Sequence, residues 1–159
     1  MMFYSILKSV HVLSIILWLG GMMFTLFFLR PALAALDPPT RVKLMADVLG
    51  RFFRAVLIVA VATLISGFWM MGRVAKQAVQ AGGSANVPTE WIVMAILGVL
   101  MVAIFGHIRF VLYKRLRLAA ERGDWPAGGA VLTSIRVWVG ANLAMGIAIV
   151  AVTLIGLPG

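Results

Sequence analysis

The sequence predicts an all-α protein: an integral membrane four-helix bundle with both termini in the periplasm. Three observations carry that expectation. Hydrophobic residues make up 63% of the 159 residues and charged ones 12%, with a mean hydropathy of +1.07, which is more apolar surface than a soluble domain of this size can hide. Four apolar runs, at about 3–29, 52–72, 91–112 and 131–157, each reach the roughly 20 residues that a bilayer-crossing helix needs. The basic residues crowd two of the three connections and leave the remaining one, with the side it lies on, nearly bare.

Inside lipid every backbone N–H and C=O must be satisfied within its own segment, so these runs are helices. The first is too long for a cleaved signal peptide and has no small-residue cleavage site; Arg30-Pro31 ends it as a membrane exit does. The first connection, "RPALAALDPPTRVKLMADVLGR", turns at Pro38-Pro39 and then reads as a partly amphipathic helix running into the second span. The second, "KQAVQAGGSANVPTE", is rich in small residues and reads as a loop. In the third, "AAERGDWPAGG", Gly123 is a helix stop, Asp124 an N-cap for the last helix, and Pro126 sits in that helix's first turn. Residues 1–159 thus form one transmembrane domain, and any chemistry lies among the four helices or at their ends.

Charge sets the orientation. Arg30, Arg41, Lys43, Arg51 and Arg54 surround the first connection, and Arg109, Lys114, Arg115, Arg117, Arg122 and Arg136 the third; the opposite side has Lys8, Arg73 and Lys76. The positive-inside rule places the first and third connections in the cytoplasm. The formal net charge of +9 is then topology plus contact with anionic membrane lipids. No aromatic-basic motif accompanies it, so nucleic acid is not a partner. With no Cys there is neither a disulfide nor a thiolate metal site.

On a helical wheel Tyr4, Lys8, His11, Ile15, Trp18, Met22 and Thr25 of the first span fall within an arc of about 100°. A polar stripe on a membrane helix turns toward its neighbours, so His11 points into the bundle, about 12 Å below the outer end. Lys8 either follows it or reaches to the surface. Neutral imidazole is a common metal ligand. Thr63, Ser66, Met70 and Arg73 share a face of the second span, and a rise of 1.5 Å per residue puts Met70, Met71 and Met94 within about a turn of the level of His11. Imidazole with thioether suits Cu(I), and His with Met also suits haem iron, so His11, Met70 and Met94 are the candidate metal ligands. Each methionine is equally explained by packing.

His107 lies near the inner end of the third span, ~20 Å from the level of His11 along the normal, too far to share an iron within one chain. Trp18 offers a flat ring two turns below His11. Asn142 needs amide partners across a helix interface or orients a ligand. Arg136 neutralises a propionate or a lipid phosphate. These four complete the candidate cofactor-binding set with His11.

The run Lys8-x2-His11-x6-Trp18-x-Gly20-Gly21, followed by Arg30-Pro31, resembles the first helix of the copper-resistance D (CopD) family. The stretches "GRFFRAVLIVAVATLISG", "FGHIRFVLYKRL" and "DWP…IRVWVGANLAMG" resemble its short stand-alone bacterial members. That resemblance implies a membrane helical bundle in the bacterial inner membrane that moves or handles copper. The first helix is also similar to that of HemJ-type protoporphyrinogen oxidases, which implies a haem b ligand at His11. Those enzymes open their third span with a lysine after Trp, where this chain has Ile92 after Trp91. Three readings stay open on the residues: copper handling, a haem b oxidoreductase or electron carrier, and a ligand-free scaffold. The partners they admit are membrane lipids, a second copy in a homodimer, a periplasmic copper protein and a quinone.

Overall fold

The computed structural model describes residues 2–82 and 89–155, and these fold into four helices long and apolar enough to cross a membrane. We label them α1 (Met2–Ala35), α2 (Pro38–Gln80), α3 (Thr89–Arg122) and α4 (Trp125–Ile155). The all-α, four-helix architecture read from the sequence is the one observed. The end of the fourth apolar run, at residue 157, and residues 83–88 of the small-residue loop lie outside the described residues.

Every helix extends past its apolar run. Apolar composition ends where lipid ends, but a helix continues until its backbone meets a breaker. α2 is the clearest case. Its basic first half contains no proline after Pro39, and Val42, Met45, Ala46, Leu49, Phe53 and Val56 are buried at helical spacing. The stretch read as amphipathic is therefore one face of a single 43-residue helix. α1 widens into a π turn at Thr25–Leu29, where the N–H of Arg30 bonds the carbonyl of Thr25. Pro31 follows at once, and its missing N–H leaves the preceding turn a carbonyl without its usual partner. α3 has a second π turn at Ile108–Leu112.

The sharp connections follow their local chemistry. The Asp37 carboxylate accepts the Thr40 N–H at 3.0 Å and caps α2 ahead of Pro38-Pro39. Gly123 stops α3 in the left-handed region at φ +69°, and the Asp124 carboxylate accepts the Ala127 N–H at 3.0 Å to start α4.

α1 and α2 run antiparallel. His11 faces Ser66 and Gly67 near one end, while Gly21 faces Phe52 toward the other. α1 is antiparallel to α4 as well, with Leu19 against Gly146, and meets α3 through the edge-on contact of Trp18 with Phe105 at 5.9 Å between centroids. A chain of aromatic contacts then passes from Phe105 to Phe53 and from Phe53 to Tyr113. The Tyr113 hydroxyl donates to the Ala46 carbonyl at 3.1 Å. This aromatic core occupies the basic half of the bundle, and the half containing His11 is more loosely covered.

Candidate functional site

His11 is half-buried on α1 and faces α2. Its Nδ1 lies 2.8 Å from the Ser66 Oγ, which itself lies 2.6 Å from the Ala62 carbonyl one turn back on α2. A hydroxyl has one proton and a carbonyl has none, so the Ser66 hydroxyl donates to Ala62 and accepts from His11. The proton of the neutral ring is thereby assigned to Nδ1, and Nε2 keeps a free lone pair. Gly67 makes room for the ring, because a Cβ there would stand 3.2 Å from the His11 Cε1. The stripe on α2 was legible in the sequence, but Ser66 was not singled out as the partner of His11. The signal available was that a buried serine one turn from a carbonyl can offer only an acceptor.

Met70 is half-buried and lies four residues from Ser66, on the same side of α2. Met94 belongs to a different contact. Its sulfur lies 2.9 Å from the Thr153 hydroxyl of α4, which also lies 2.7 Å from the Ile149 carbonyl. Counting from the Leu19–Gly146 contact, Thr153 is at the level of His11 to within about a turn. Met94 thus shares the depth read for it, but engages α4.

Trp18 is buried with its ring edge-on to Phe105, as part of the aromatic core. Lys8 is exposed. His107 is exposed too, with its ring 5.1 Å from that of Trp138. It lies two residues past Phe105, whereas His11 lies seven before Trp18, so the levels of the two imidazoles differ by about 13 Å rather than ~20 Å. The sequence estimate was longer because it measured from the ends of apolar runs, and the side-chain contacts set a different register. His107 packs outward, and His11 packs against α2.

Asn142 is 1% exposed, and its side-chain oxygen has no hydrogen-bond partner among the described residues. The interhelical partner expected for its amide oxygen is thus not found among the described residues. The buried Thr63 hydroxyl, one turn from Ser66, is in the same condition. Arg136 is exposed on α4 at the basic end and lines a cleft there with Arg30 and Arg41. The sequence placed all three on one side of the membrane, but not in one cleft. Among the described residues there is no group of three or more His, Cys, Asp or Glu fit to hold a metal ion.

Compared with known families, residues 46–155 match the one described as CopD, copper resistance protein D. The chain belongs to the CopD family. The match covers most of the chain, from the middle of the basic half of α2 to the end of α4. The first helix of this CopD protein, with His11, precedes the matched segment, so the match says nothing of His11 and its neighbours. No curated protein and no solved structure matches the chain. The similarity of the first helix to HemJ-type enzymes is not shown by these comparisons, and they give haem b no support. Four apolar helices and CopD membership make this a multi-pass membrane protein.

Proposed function

We propose that this chain handles copper in the bacterial inner membrane, taking Cu(I) as cargo at the His11 Nε2. The observation that carries the reading is the relay from His11 to Ser66 to the Ala62 carbonyl, which leaves Nε2 unprotonated and aimed by a hydrogen bond on the other ring nitrogen. That is how ligating histidines are commonly oriented. The donor set favours a soft ion. No carboxylate cluster is present among the described residues, and thioether joined to imidazole suits Cu(I) above the harder divalent ions. Met70 supplies the thioether, because it stands one turn from Ser66 on the face of α2 that meets His11. Met94, which lies against Thr153 of α4, serves packing in this reading. With both termini periplasmic, the site opens toward the outer leaflet.

The test is Cu(I) binding by the purified full chain in detergent, measured by competition with a chromogenic chelator. One Cu(I) per chain is expected, lost in His11→Ala and weakened in Met70→Leu. His107→Ala keeps it, since that imidazole packs outward. Absence of Cu(I) binding, or equal loss in His107→Ala, sinks the proposal.

A further inference from the structure

We propose that the cleft between α1, α2 and α4 at the basic end binds the phosphate of an anionic phospholipid, with an acyl chain laid along its apolar wall. The cleft holds about 380 Å³. Arg30 enters it from α1, Arg41 from α2 and Arg136 from α4. These three cations come from distant parts of the chain and are close enough that Arg136 and Arg41 act electrostatically on Arg30. No carboxylate lines the cleft. The ion pairs among the described residues, Asp47 with Arg51 and Glu121 with Arg117, lie on other surfaces. None of the three guanidinium groups has a hydrogen-bond acceptor among the described residues. Three like charges held together with their donors unused are stabilised by a shared anion. The planar guanidinium fork matches phosphate oxygens, and several such forks on one phosphate give directional, charge-assisted bonds.

The walls separate a lipid from a free ion. Leu26, Met45, Leu132 and Val139 form the apolar side. Arg30 directly follows the apolar run of α1, and Arg136 lies five residues inside that of α4, so the charges stand where hydrocarbon gives way to headgroup. A phosphate carrying acyl chains fits both the charge and the wall. Inorganic phosphate uses the charge alone. This inference is independent of the copper reading.

The experiment is native mass spectrometry of the delipidated full chain, titrated with dioleoylphosphatidylglycerol, dioleoylphosphatidylcholine or inorganic phosphate. One phosphatidylglycerol per chain is expected, bound about tenfold or more tightly than phosphatidylcholine. The combined variant Arg30→Gln, Arg41→Gln and Arg136→Gln loses about tenfold or more in affinity, whereas Arg54→Gln, Lys114→Gln and Arg115→Gln together stay within about twofold. Gly129→Leu provides a second variant with every arginine intact. Gly129 lines the cleft, and a Cβ there meets no atom within 4 Å, so the leucine grows into the space and weakens lipid binding. Equal losses in the two triple variants mean diffuse charge attraction and overturn the site. Full lipid binding by Gly129→Leu overturns it as well, and so does displacement of the lipid by inorganic phosphate, which marks a free-anion site.

Discussion

Removing the Ser66 hydroxyl takes away the acceptor that holds the His11 Nδ1–H. The ring is then free to rotate and to exchange tautomers, and Nε2 is no longer reserved for a ligand. Ser66→Ala is expected to weaken Cu(I) binding by about 10- to 100-fold, the usual range for the loss of a ligand's hydrogen-bond partner. Thermal stability should hardly change, because Ser66 bonds only its own helix and His11. Chelator competition alongside a melting curve separates the two quantities. Unchanged affinity would mean that His11 is held by packing alone. Asn142 makes the opposite case. Its carboxamide oxygen is buried without a partner among the described residues, and such an orphan costs about 1–3 kcal/mol. Asn142→Leu keeps most of the volume and removes the orphan, so the variant should melt higher by roughly that amount of stability. A variant that melts lower would show that the amide is satisfied in the membrane. At this scale the sequence was only half legible. The stripe containing His11 could be read from period alone, but the partner that fixes its tautomer depends on a contact 55 residues away.

The helices were legible in number and blurred at their ends, for one physical reason. Hydropathy reports where the lipid is, whereas capping reports where the helix is. α2 begins at Pro38, fourteen residues before its apolar run, because Asp37 and the two prolines start it there. The Thr40 N–H bond holds the Asp37 carboxyl below the usual carboxylate range. The sign follows from linkage. A carboxyl with a depressed folded value contributes stability that is fully present above its unfolded value and lost as pH falls through the folded one. The α2 cap therefore persists below the pH at which an ordinary aspartate protonates, near 4. Asp37→Asn caps without titrating. Melting temperatures across the acid range should show wild type falling relative to Asp37→Asn as pH drops below about 4, and a constant difference above it. Parallel curves through the acid range would mean that the carboxylate does not cap α2 in solution.

For the whole molecule, the asymmetry of charge decides which way the site faces. Eleven of the 14 Lys and Arg lie around the first and third connections, and three around the other end. The structure gathers the first group at the end that carries the aromatic core and the arginine-lined cleft, while His11, Ser66 and Met70 lie toward the other. The two ends thus differ in chemistry: one carries clustered guanidinium groups, the other an imidazole and a nearby thioether. The positive-inside rule turns that difference into a direction. Alkaline phosphatase fused within residues 83–88 or after residue 159 should be active, and a fluorescent protein inserted after Arg122 should fluoresce. The first two positions lie outside the described residues and test only sidedness. The expected pattern puts the histidine in the outer leaflet, where Cu(I) arrives from the periplasm and the cleft contacts the cytoplasmic leaflet, whose anionic lipids it suits. An inverted pattern would leave the helix packing intact and reverse the chemistry: His11 would draw copper from the cytoplasm, and the three arginines would face the outer leaflet. The fusion experiment therefore fixes which leaflet holds His11 before a transport assay is attempted.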